Sequence, residues 1–196
     1  MYKKIILSKY EMDKCKAYTQ GACSRFEVSE KFQIKKLKNI DFLFALSKTV
    51  NETQELKRFI INNEVAEFNT LNPAYLLEKN NEIVCTYTDF DDSYDKFYEN
   101  YKKDYELFLK SELVFCLKQA PQNIFHISSF KKSFETFSLH LKHGFEFYQP
   151  IFTSYKKDNE LIIYANFHHA FFDLKRARIF FDKLKNQLIN TKTIEF

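Results

Sequence analysis

The sequence predicts an α/β protein, a two-layer sandwich in which helices cover a mixed β-sheet. Two observations carry this. Apolar residues alternate with period two in several short stretches and recur at helical spacing in longer ones. No repeat, low-complexity tract or linker separates the two kinds of stretch, so one packed unit of both is the economical solution. With 196 residues and 45% hydrophobic content the chain can bury one substantial core. A single domain over 1–196 is expected.

FEVSEKFQI places Phe26, Val28, Phe32 and Ile34 at even spacing, the pattern of a strand with one buried face. Phe42 to Val50 reads as a short helix. From Glu55 on, Leu56, Phe59, Ile60 and Phe68 fall roughly on one helical face, and Asn72-Pro73 then stops that helix. AYLLEKNNEIVCTYTDF reads as a hairpin turning at Asn80-Asn81. Phe97, Tyr101, Tyr105, Phe108 and Leu109 predict an amphipathic helix of about four turns with its stripe in the core. After Pro121 come extended pieces: NIFHISSF, SFETFSLHL with Phe137, Leu139 and Leu141 alternating, PIFTSY and ELIIYANF. A last helix follows Asp173, with Leu174, Ala177, Phe180, Phe181, Leu184 and Leu188 on one stripe.

Several function classes drop out on composition. Thirty basic and twenty-six acidic residues are spread in short mixed-sign stretches, so no nucleic-acid partner is expected. Two glycines cannot write a phosphate loop or a dinucleotide fingerprint. Cys15, Cys23, Cys85 and Cys116 stand far apart, which suits reduced thiols and a cytoplasmic setting better than zinc or disulfides. His140, His143 and Glu146 do not make a metal site, because the strand pattern puts His140 on a different course. No apolar run approaches the length of a membrane span, and MYKKIILSKYEMDK is too short in hydrophobic residues for a signal peptide.

The stretch NFHHAFFDLKRARIFF puts His168, His169 and Asp173 between an apolar run and a helical one. Two readings fit. In one, a strand ends, the histidines fill a turn, and Asp173 caps the helix through its free backbone amides. In the other, His169 sits just past a strand end, where geometry is fixed, with Asp173 four residues on to brace its loop; a neutral imidazole there could take a proton from a hydroxyl. The spacing H-x-x-x-D does not decide between them.

HHAFFDLKRARIFFDKLKNQL resembles the C-terminal signature of the chloramphenicol acetyltransferases, HHAVCDG followed by an amphipathic helix. PIFTSYKK, SFETFSLHL, HISS, LNPAYLLEKNNEIV and FEVSEKFQI resemble further segments of that family in the right order, so the likeness covers nearly the whole chain. The resemblance implies the family's fold and a soluble homotrimer with active sites between subunits. It implies an acetyl-CoA-dependent O-acetyltransferase with no permanently bound cofactor, whose acceptor is chloramphenicol. A divergent acceptor, or a trimeric binding protein that has lost turnover, are the alternatives.

By that resemblance His169 is the general base, worth roughly 10² to 10⁴ in rate. Ser128, with Ser129 beside it, faces the tetrahedral oxyanion, an interaction worth about 3 kcal/mol in the barrier. Thr153 acts near the same transition state through a water, Asp173 supports the histidine loop, and His168 is a packing residue. Tyr18, Tyr94, Phe115, Phe137 and Leu139 stand where the family lines its acceptor pocket. Coenzyme phosphates would meet Lys156 and Lys157, or the group Lys175, Arg176 and Arg178. The family pattern breaks in three places: Leu174 replaces a glycine, Lys131-Lys132 replace Pro-Trp, and no arginine precedes Arg25, so Lys14 or Lys16 must stand in for the one that pairs with the aspartate.

Overall fold

The structure is a computed structural model that describes residues 1–20, 24–34, 36–130, 137–141 and 146–190. Among them the chain runs β1 (Tyr2–Lys4), α1 (Lys9–Gln20), β2 (Arg25–Gln33), α2 (Asn39–Glu52), a 3₁₀ turn (Gln54–Lys57), β3 (Arg58–Ile61) and β4 (Glu64–Phe68). It continues through β5 (Asn72–Lys79), β6 (Glu82–Tyr87), α3 (Tyr94–Lys110), β7 (Ile124–Phe130), β8 (Ile151–Lys157), β9 (Glu160–His168) and α4 (Leu174–Asn190). Six strands form a mixed sheet in the order β2-β9-β8-β7-β5-β6, and β1-β4-β3 form a smaller one. The expected α/β sandwich is present.

Strand alternation sorts the large sheet into two faces. Phe125 and Ile127 of β7, Phe152 of β8, and Leu161, Ile163, Ala165 and Phe167 of β9 join one buried cluster with Leu43 and Leu46 of α2 and Phe180 and Leu184 of α4. Phe26, Val28 and Phe32 of β2 point the same way, as the period-two reading requires. Phe152 stacks on Phe180 at 5.6 Å and meets Phe125 and Phe167 edge-on, so rings from three strands and a helix interlock. Helix α2, Asn39–Glu52, runs longer at both ends than the expected 42–50 segment, and it buries even its hydroxyls: Ser47 and Thr49 donate to the carbonyls of Leu43 and Ala45.

The Asn80-Asn81 hairpin is where the sequence puts it, both residues having positive φ of 55° and 64°. A second Asn-Asn pair overturns the helix expected from Glu55. Asn62 and Asn63, at φ 52° and 61°, turn β3 into β4, and Phe59 stacks on Phe68 across that hairpin at 4.0 Å. Helical spacing of four apolar residues was accidental there; the two left-handed asparagines decide the geometry.

Helix α3 buries Phe97 and Phe108, whereas Tyr105 and Leu109 are 38% and 57% exposed, so only part of the predicted stripe is core. Leu174, first in α4, is 64% exposed, while Ala177, Phe180, Phe181, Leu184 and Leu188 are buried. Residues 137–141 form no ladder, and positions 133–136 of the expected strand lie outside the described residues. Helix α1 and strand β1, which carry weak periodicity, were not expected; α1 packs Cys15 against Val65, Ala170 and Phe171. Among the described residues no helix is long and apolar enough to cross a membrane.

Candidate active site

Strand β9 pairs with β2 up to His168 opposite Arg25, and the His169 amide extends the ladder by donating to the Ser24 carbonyl at 2.7 Å. The chain then turns tightly, the amides of Phe171 and Phe172 both donating to the His168 carbonyl. His169 is thereby delivered by a strand rather than a free loop. Its ring lies flat on Tyr18 of α1, centroids 4.3 Å apart and 9° from parallel, with Phe26 at 4.5 Å. It is half-buried, and its Nδ1 is enclosed with no hydrogen-bond partner among the described residues.

Asp173 closes the turn. Its Oδ1 accepts from the Arg176 backbone amide at 2.9 Å, the N-cap bond of α4. Its Oδ2 accepts from Lys14 Nζ at 3.1 Å and from Arg176 Nη1. Burial pushes the carboxyl up, but the Arg176 amide and the Lys14 ammonium outweigh it and hold the group below the usual carboxylate range. Of the two lysines expected to replace the missing arginine, Lys14 does so. Leu174 follows without positive φ, so the turn closes without the backbone freedom of glycine.

His168, on the open face of the sheet, is 4% exposed and takes the Ala170 amide on Nδ1. Burial, then the nearby Arg25 and His169, push its pKa down to about 4. This is a neutral packing histidine under the tyrosine ring of Tyr148. Arg25 holds the segment above it by donating to the carbonyls of Phe147, Gln149 and Asn166 and to the Asn166 side chain.

Ser128 and Thr153 stand side by side on the same open face, as register partners in the parallel β7–β8 pair, and Thr153 is opposite Tyr164 of β9. Thr153 is buried and Ser128 half-buried. Phe137 packs on Tyr164 at 5.8 Å, and the Leu139 backbone binds the Glu27 carboxylate in the neighbouring row. Ser129 points through the other face, its hydroxyl 2.9 Å from that of Ser154. The oxyanion candidate on the open face is therefore Ser128.

The predicted residues thus fall into two groups. His169, Tyr18 and Asp173 gather at the end of β9; Ser128 and Thr153 pair in the middle of the sheet, with Phe137 over the neighbouring Tyr164, while Leu139 lies against Glu27 of the edge strand β2. Ser128 is level with Tyr164, two strands from β9, and His169 is five residues further along. At about 4.8 Å between strands and 3.3 Å per residue, their Cα atoms are about 19 Å apart. Side chains of serine and histidine cannot close that gap within one chain.

The remaining predicted residues join neither group. Tyr94 begins α3 on the helical side of the sheet, donating to Asp41 at 2.6 Å and lying edge-on to Phe44. Phe115 is 73% exposed beside β6, far across the sheet from β9, where its carbonyl accepts from the Cys85 amide. Lys156 is tied to the Leu37 carbonyl, with burial pulling its pKa down, and Lys157 is exposed. Arg176 is committed to Asp173 and to Glu55 at 3.1 Å rather than free for a phosphate. Phe26 was legible only as a core residue, although its ring touches His169, and the place of Arg25 follows from register alone.

The family model for chloramphenicol acetyltransferase matches residues 3–185. A solved chloramphenicol acetyltransferase superposes with a TM-score of 0.79 at 12% identity, covering 96% of this chain and 100% of its own. A probable dihydrolipoamide acetyltransferase from Listeria monocytogenes 4b F2365 gives 0.64 at 11% identity, with 96% and 95% coverage. A dihydrolipoamide acetyltransferase from Azotobacter vinelandii gives 0.61 at 10%, with 97% and 92%. At such identities these likenesses speak for the fold. No curated protein sequence matches the chain. The protein is an acyltransferase of the α/β sandwich kind. It belongs to the chloramphenicol acetyltransferase family.

Proposed function

We propose that the chain, acting as one unit over its length, is an acetyl-CoA-dependent O-acetyltransferase. Its acceptor is chloramphenicol or another hydroxyl compound. The observation that carries this reading is the fixation of His169: a strand-end histidine stacked on Tyr18 with the tilted ring of Phe26 against it, on a turn whose Asp173 is held by two cations. His169 takes the acceptor's hydroxyl proton as the oxygen attacks the thioester carbonyl. The Ser128 hydroxyl donates to the oxyanion, with Thr153 beside it, and the tetrahedral intermediate collapses with coenzyme A as leaving group. Accepting at Nε2 places the ring's own hydrogen on the buried Nδ1. Tyr18 stands by as a wall of the acceptor pocket, with Phe137 and Leu139 completing it from the serine side.

The 19 Å separation supports a site built by two copies, His169 from one and Ser128 from the next, as in a closed trimer. Lys14 and Arg176 answer the missing arginine, and Leu174 leaves the turn intact, which favours turnover over a decayed binding protein. The test is coenzyme release from acetyl-CoA with chloramphenicol and a panel of other alcohols, repeated on His169→Ala. Acceptor-dependent release that the substitution abolishes is expected. Coenzyme binding with no release for any alcohol overturns the reading.

A further inference from the structure

Arg176 breaks a local rule. It sits in the first turn of α4, where the helix dipole disfavours a cation. Such a departure needs an offsetting interaction, and departures of this kind concentrate at functional sites. The offset is visible. Nη1 donates to Asp173 Oδ2 and Nε to Glu55 Oε1 at 3.1 Å, so one guanidinium bridges the histidine turn to the 3₁₀ turn after α2. Beside this bridge a cavity of about 160 Å³ is lined by Ala170, Phe171, Asp173 and Arg176, with Lys14 and Arg58 on its wall, so the carboxylate side of the turn relies on polar contacts. Lys14 alone meets Asp173 as a point charge and cannot fix a plane, whereas the forked guanidinium holds two carboxylates at set angles.

We infer that Arg176 is a positioning residue for the base: by clamping Asp173 to Glu55 it sets where the turn carries His169. The inference rests on the reading of His169 as general base. The pair is partly exposed, so its worth lies in geometry more than in stability. A misplacement of about 1 Å at a reacting group can lower the rate up to about 100-fold.

Arg176→Ala is therefore expected to lower kcat by about 10- to 100-fold with the KM for acetyl-CoA within about twofold. Arg176→Lys should recover little of it, because one ammonium cannot span both carboxylates. Glu55→Gln should reproduce part of the loss, and adding it to Arg176→Ala should cost nothing more, the signature of one shared clamp. Amide exchange gives a readout that does not depend on activity. In Arg176→Ala the amides of His169, Phe171 and Phe172 should exchange faster by about tenfold while those at the centre of β9 hold their rates. Unchanged exchange at these amides, faster exchange throughout the sheet, full recovery by lysine, or a kcat within about twofold of the parent each overturns the inference. If the parent itself transfers no acetyl group, the proposed function falls, and the exchange measurement still decides whether Arg176 holds the turn.

Discussion

Mixing two inactive variants offers the sharpest test of a site shared between copies. Ser128→Ala alone should lower kcat by about 10² to 10³, the usual loss for one oxyanion donor, and His169→Ala by about 10² to 10⁴. In one chain these residues are about 19 Å apart, from two inter-strand spacings and five residues of rise. On the proposed reading, each reaction centre draws Ser128 from one copy and His169 from its neighbour. In trimers reassembled from equal amounts of the two variants, a given site keeps its serine in half of the cases and its histidine in half. About one quarter of the parent activity should return in the unfractionated mixture, and about one third in purified hybrids, each of which keeps one intact site of three. Thiol release from acetyl-CoA measures it, with the two variants carrying different affinity tags so that hybrid trimers are purified before assay. Hybrids no more active than the single variants would refute the shared site, because a centre within one chain is always missing one group.

Stability should also depend on pH in a set window. His168 has its pKa pushed from 6.5 to about 4 by burial, with Arg25 and His169 adding to it, so the unfolded chain binds that proton first. Stability is therefore whole above about pH 6.5 and falls by about 3 kcal/mol as pH drops toward 4, measured by urea melts; His126, shifted the same way by burial, adds to the slope. A flat profile between pH 7 and 5 contradicts the buried neutral ring. Phe152→Ala removes a fully buried ring with three aromatic neighbours and should destabilise the fold by about 3 to 5 kcal/mol in the same assay. Among Cys15, Cys85 and Cys116, an alkylating reagent on the native protein should label exposed Cys116 first and buried Cys15 last, since burial pushes the Cys15 and Cys85 thiols up, as peptide mass mapping over time will record.

Several parts of this protein were written in local sequence. Alternation in FEVSEKFQI, the Asn80-Asn81 turn and the apolar spacing of α4 each depend on interactions within a few residues, so periodicity predicted them. The order of motifs around HHAFFD carried the family for the same reason, being a pattern along the chain. The segment 56–68 shows the limit: Leu56, Phe59 and Ile60 satisfy a helix and a hairpin alike, and the choice was made by Asn62 and Asn63 adopting positive φ with Phe59 stacked on Phe68. The placement of the site needed the whole fold. Register between strands set Ser128 level with Thr153 and away from His169, seated Arg25 beside His168, and left Tyr94 on the helical side. Arg176 reads as one more surface charge until Asp173 and Glu55, far apart in sequence, close on it. What the chain alone determined was which residues alternate, turn and cap; which of them come together in space was decided by sheet pairing and helix packing, because those distances arise between segments that no local pattern connects.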